Sequence, residues 1–178
     1  MPQSNAFKFA NNILTNGGYD AADLVGAVGG GENTPAFKAQ LTSNQTGIVN
    51  NTWTKVTYNN EIFDTNSAYD PTTNYRFTVP SGQAGKYLII ANADIRSSTS
   101  ARSKYIQIYK NGSSGGGLNG NFLTSEYYQN DQANQVMIAN VFDLIATDYI
   151  EIYVNSYSGG NHTVSGGAET YFLGFKLI

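Results

Sequence analysis

From Pro35 onward the chain alternates apolar and polar residues with a period of two. Phe37, Ala39 and Leu41 alternate with Lys38 and Gln40, as in a strand with one buried and one wetted face. Trp53-Thr-Lys-Val56-Thr-Tyr58 and Tyr75-Arg-Phe77-Thr-Val79-Pro80 repeat the theme. Between Lys86 and Ala93 both registers are apolar, with Tyr87, Ile89, Ala91 and Ala93 on one face and Leu88 and Ile90 on the other. Such a strand is expected to be covered on both sides. Lys104 to Tyr109 runs into Lys110-Asn111-Gly112, a strong hairpin signal because Asn-Gly tolerates two successive left-handed residues. Gln135 to Leu144, Tyr149 to Val154 and Thr170 to Ile178 complete a set of about eight strands. No helical period of useful length interrupts them, so the pattern predicts an all-β sandwich or jelly roll.

The first 34 residues read differently. They are short on strand pattern and end in Val28-Gly-Gly-Gly-Glu-Asn-Thr34, a linker signal. Phe7, Phe9, Ile13, Leu14, Tyr19 and Leu24 are apolar in a segment too short for a core of its own, and Asp20 to Leu24 could make one helical turn. The division is therefore 1–34, an anchoring arm and linker whose apolar residues dock on a partner, and 35–178, the β domain. Three Ser- and Gly-rich loops, Arg96–Ser103, Gly112–Asn121 and Ser156–Gly167, are expected at the surface.

Composition narrows the function. Only 13% of residues are charged, about half the usual share, and 13 Tyr and 9 Phe dominate the aromatics. Ten scattered Lys and Arg against a net charge of −3 leave no basic stripe for phosphates, so nucleic acid is not expected as a partner. With no Cys, disulfides and thiolate metal sites are excluded. No signal peptide and no apolar run of about 20 residues is read, so neither classical secretion nor membrane insertion is expected.

Catalytic patterns are absent. His162, the single histidine, sits in Gly-Gly-Asn-His-Thr-Val and reads as a surface loop residue without a chemical role. Nothing resembles a nucleophile elbow, and Asn111-Gly-Ser-Ser-Gly-Gly-Gly-Leu lacks the Gly-Lys-Ser/Thr end of a phosphate loop. The five Glu are scattered and form no hydrolytic pair. Asp64-Thr-Asn66 begins like a calcium loop, but Ala68 replaces a ligand and Tyr69 the turn glycine. No metal or other cofactor is expected, with Asp64, Asn66 and Asp70 as the calcium candidate. The chain is expected not to be an enzyme.

Several segments together resemble the C1q/TNF-like jelly-roll family. Pro35-Ala-Phe37-Lys-Ala39 is similar to its opening strand and Lys55-Val-Thr-Tyr58-Asn59 to its second. Tyr69-Asp70, Tyr75-Arg-Phe77-Thr-Val-Pro80 and Gly85-Lys-Tyr87 resemble the family core, Asp148-Tyr-Ile-Glu-Ile a late strand, and Tyr171-Phe-Leu-Gly174-Phe175-Lys-Leu-Ile178 the closing one. The match covers roughly 35–178. It departs at Asn74, where the family usually has Gly; Asn is the residue best able to replace Gly in left-handed backbone. The resemblance implies a C1q/TNF-like jelly-roll β-sandwich that closes its aromatic face in a homotrimer. The Tyr-rich strands Tyr105–Tyr109 and Tyr149–Tyr153 are candidates for that face, half of each being equally explained by core burial.

Lys8-Phe-Ala-Asn-Asn-Ile-Leu-Thr-Asn-Gly-Gly-Tyr-Asp-Ala-Ala-Asp-Leu24 resembles the N-terminal segment of structural and fibre-like proteins of marine tailed phages. Together the two resemblances imply a virion structural protein on the exposed surface of head or tail. The arm would hold other virion proteins, and the trimeric knob (a short fibre or a capsid decoration) would contact a glycan or protein of the host surface. The alternative is a free-standing C1q-like glycan- or protein-binding module of bacterial origin.

Overall fold

The alternation from Pro35 onward is realised as strands in the computed structural model, which describes residues 33–97, 103–113, 134–157 and 160–177. All of them lie in one unit, Asn33–Leu177. Twelve strands occur among the described residues: β1 (Ala36–Leu41), β2 (Gln45–Ile48), β3 (Thr54–Lys55), β4 (Asn60–Asp64), β5 (Tyr69–Asp70), β6 (Arg76–Thr78), β7 (Gly85–Ser97), β8 (Ser103–Lys110), β9 (Asn134–Leu144), β10 (Tyr149–Tyr157), β11 (His162–Val164) and β12 (Gly167–Lys176). The arm residues Phe7, Phe9, Ile13, Leu14, Tyr19 and Leu24 lie outside the described residues.

Two antiparallel sheets form. The larger runs β2-β11-β7-β12-β1-β4, with β9 on the other edge of β7. The smaller runs β3-β10-β6-β5, with β8 on the other edge of β10. The first strand thus pairs with the last, Phe37 opposite Gly174 and Ala39 opposite Phe172. The fold is an all-β sandwich of jelly-roll type, as the alternation predicts.

The core lies between the sheets. Phe37 is its centre, stacked on Phe77 with ring centroids 4.8 Å apart and on Tyr69 at 5.2 Å, with Phe172 edge-on at 4.8 Å. Opposite Phe37 the closing strand carries no side chain. A Cβ at Gly174 would come within 2.7 Å of Ile89 Cδ1 and 3.0 Å of Phe37 Cε1. The glycine of the closing motif therefore makes room for the central aromatic ring.

The expected Asn-Gly turn is present. Asn111 and Gly112 have φ of 53° and 74°, and Lys110 and Ser113 exchange backbone bonds of 3.1 and 3.2 Å. Three readings change. The stretch Trp53 to Tyr58 keeps its alternation, with Val56 and Tyr58 buried, but only Thr54–Lys55 joins a ladder. Strands β2, β4, β5 and β11 are additions: each is five residues or fewer, too short for a period to register. The left-handed residue before the aromatic strand is Tyr75, φ 49°, rather than Asn74. Asn74 instead donates its backbone N–H and its Nδ2 to Asp70, at 3.0 and 2.8 Å.

Candidate functional site

Each sheet has an outer face, and the two differ in chemistry. On the larger sheet, register places Tyr171 beside Asn92, Leu173 beside Ile90 and Phe175 beside Leu88. Those β7 residues lie beside Met137, Ala139 and Val141 of β9. On the other side Lys38 stands between Leu173 and Phe63. The result is an apolar surface across five strands. Phe63, Met137 and Val141 are each about half exposed, as are Ile62 and, beyond β9, Ile145 to a greater degree. Leu88 and Ile90 are only partly exposed because their neighbours crowd them. The expectation that β7 is covered on both sides is thus met on one side only by the described residues of this chain.

The outer face of the smaller sheet is aromatic and polar. Period-two alternation sends Ile150, Ile152 and Val154 of β10 into the core and turns Tyr149, Glu151 and Tyr153 outward. Tyr153 stacks on Tyr109 of β8 at 3.9 Å. Trp53 lies 6.3 Å from Tyr105 and 6.4 Å from Tyr109. Beneath these rings Glu151 is buried and accepts from Lys55 Nζ at 2.5 Å, while Lys55 also donates to the Asn74 carbonyl at 3.2 Å. Burial raises the Tyr153 phenol above its ordinary value, helped by the nearby Glu151 charge. At the margin, the Arg76 guanidinium lies 4.0 Å over the ring of Tyr149. Arg76 also lines a cleft of about 300 Å³ with Asn66, Ser67, Asp70, Asn74 and Thr78.

This face carries Tyr105–Tyr109 and Tyr149–Tyr153, the strands that the sequence offers as candidates for an aromatic face closed in a trimer; half of each strand faces the core, and the pattern does not say which half.

The calcium candidate residues fall near one another, but their oxygens are already occupied. Asp64 accepts backbone N–H groups from Asn66 at 3.0 Å and Tyr69 at 2.6 Å. Asp70 accepts the backbone N–H groups of Thr72, Thr73 and Asn74 at 2.9–3.0 Å, together with the Thr72 hydroxyl and the Asn74 amide. Those bonds, led by Thr73 and Thr72, hold the Asp70 carboxyl well below the ordinary carboxylate range. Asn66 Oδ1 accepts from the Thr65 hydroxyl at 2.8 Å. These carboxylates cap turns, and their donor set does not fit a calcium shell. Among the described residues no group of three or more His, Asp or Glu is placed to hold a metal.

His162 is a correction. It reads as a surface loop residue in the sequence, yet it opens β11, opposite Ile48 and Ser97, and is 2% exposed. The Gly and Asn before it mask a three-residue strand buried between β2 and β7. Burial lowers its pKa, and the buried Lys104 ammonium lowers it further.

No protein-family model matches the chain, and no curated protein matches it by sequence. Solved structures do match. The globular domain of zebrafish complement 1qA protein aligns with a TM-score of 0.53 at 16% identity, covering 82% of this chain and 98% of that one. Murine APRIL aligns with a TM-score of 0.52 at 14% identity, covering 80% and 98%. The fold of this chain is a C1q/TNF-like jelly roll.

Proposed function

We propose that this chain is a self-associating binding knob: a homotrimer closed through the outer face of its larger sheet, acting by contact rather than by catalysis. The observation that carries the reading is the apolar surface of Phe63, Leu173, Ile90, Met137, Phe175 and Val141, which no described part of the chain covers. A β-sheet with two apolar faces has one face too many for a monomer. A closed ring of identical copies covers all of them at once without leaving an open end. Each side chain fully covered contributes roughly 1.5–3 kcal/mol before the cost of association.

The finer part of the proposal is the setting. The resemblance of Lys8 to Leu24 to tailed-phage structural proteins supports a virion protein on the exposed surface of head or tail, a short fibre or decoration. Residues 1–34 would hold it to another virion protein, and the knob would meet a host glycan or protein. Multivalency would then turn weak contacts into avidity.

Light scattering at micromolar concentration should give three times the 19.2 kDa chain mass. Val141→Lys and Leu173→Asp, both on the outer face, should return it to one chain mass while leaving the far-ultraviolet circular dichroism unchanged. A wild-type mass of one chain would overturn the assembly. A chain beginning at Pro35 should still assemble yet fail to join the particle; attachment equal to that of the full chain would overturn the anchor.

A further inference from the structure

We infer that the outer face of the smaller sheet is a binding site for an acidic saccharide, with Arg76 taking the acid group and the Tyr–Trp row taking the sugar rings. The inference deepens the proposed contact role of the knob and rests on it.

The argument begins with a partner that Arg76 does not use. Asp70 stands directly opposite Arg76 in the β5–β6 pair. It spends both carboxylate oxygens on the N–H groups of the turn that follows it, and Arg76 turns away onto the ring of Tyr149. No ion pair or hydrogen bond of the described residues uses the guanidinium. A guanidinium presents a planar fork of donors that matches a carboxylate bidentately. Here that fork borders a cleft of about 300 Å³ whose polar lining residues are Asn66, Ser67, Asp70, Asn74 and Thr78.

The second part is the surface that leads away from the cleft. Tyr149 and Tyr153 lie on the same face of β10, four residues and so roughly 13 Å apart along the strand. Tyr153 continues into Tyr109, and Tyr109 into Trp53 and Tyr105. Aromatic rings combine an apolar face with a polar edge at low entropic cost, which suits a ligand with C–H faces and hydroxyl rims. The Lys55–Glu151 pair beneath them is internally neutral, and Asp70, which lines the same cleft as a carboxylate, has both oxygens tied to N–H groups of its own turn. Among the described residues of this face the Arg76 fork is therefore the charged donor left to take an anionic group. Arg76 is the one guanidinium among the described residues without an ion pair or hydrogen bond, and a single such group is too little for a polyphosphate backbone, which needs several cationic contacts. An acidic sugar needs one such contact together with ring stacking.

The test uses the full chain and defined probes by titration calorimetry: hexagalacturonate, its fully methyl-esterified form, maltohexaose and a hexaglutamate peptide. Hexagalacturonate should bind more tightly than its ester, and maltohexaose weakly or not at all. Arg76→Gln should weaken hexagalacturonate by about tenfold, the scale of one charge-assisted contact, and abolish the preference over the ester. Tyr153→Ala should weaken acid and ester alike. Thermal melting of each variant separates lost contacts from lost folding, and Arg76→Lys, which keeps the charge without the fork, should fall between wild type and Arg76→Gln. Equal binding by wild type and Arg76→Gln, no binding of hexagalacturonate, or preference for hexaglutamate would each overturn the assignment. Light scattering on the same samples keeps the two readings apart. A trimer that binds no acidic saccharide removes this site and leaves the assembly; a monomer that binds it does the reverse.

Discussion

Gly174→Ala tests the packing logic of the core at a single methyl group. Two effects oppose each other. Replacing glycine within a strand removes backbone entropy from the unfolded chain, which by itself stabilises by about 0.5–1 kcal/mol. The new methyl, however, would lie 2.7 Å from Ile89 Cδ1, 3.0 Å from Phe37 Cε1 and 3.1 Å from the Leu88 carbonyl oxygen. Ile89 and Phe37 are fully buried, and Phe37 is held by three other rings, so neither can swing into solvent. Forcing a methyl into a filled core costs about 1–3 kcal/mol. The steric term wins, leaving a net destabilisation of about 0.5–2 kcal/mol. For a domain of this size that lowers the melting temperature by a few degrees, at about 2–4 °C per kcal/mol. Urea denaturation should give the same sign with an unchanged slope. The contact with Ile89 Cδ1 adds an internal control, because Ile89→Val deletes that methyl. In the double variant, the added cost of Gly174→Ala should shrink, a coupling that a cycle of single and double variants measures. A Gly174→Ala protein as stable as wild type, or additive costs in the double variant, would refute the idea that Gly174 exists to seat Phe37.

Three further outcomes follow from named contacts. His162 has a lower pKa folded than unfolded, so the unfolded state takes up its proton first; stability should fall as pH drops below about 6.5, and melting curves of His162→Gln should lose that dependence. The Asp70 carboxyl is held below the ordinary range, so its contribution is fully present above about pH 3.8 and fades as pH falls further; Asp70→Ala should destabilise most at neutral pH and progressively less as pH falls below about 3.8, and adding calcium to wild type should leave the melting temperature unchanged. Lys55→Met leaves buried Glu151 without its 2.5 Å partner and should cost about 1–3 kcal/mol by denaturant titration, most of it recovered in the double variant with Glu151→Gln.

Local pattern was enough for the strand faces of Phe37–Leu41, the doubly apolar Lys86–Ala93, the Asn111-Gly112 turn and the closing Tyr171–Phe175 segment, because each is a property of residues adjacent in sequence. It also pointed to the C1q/TNF-like jelly roll, since these motifs occur in order along the domain. What lies on each face is a matter of residues distant in sequence, and only the tertiary structure decided it. Leu88 and Ile90 look like the second buried face of a strand, but the sheet leaves that face uncovered by the rest of the described chain. His162 looks like a loop residue, but pairing with Ile48 and Ser97 buries it. Asp64, Asn66 and Asp70 look like part of a metal loop, but donors of their own turns occupy their oxygens, backbone N–H groups for the two Asp and the Thr65 hydroxyl for Asn66. The same turn takes Asp70 from Arg76, and a contact that does not form leaves no trace in a sequence.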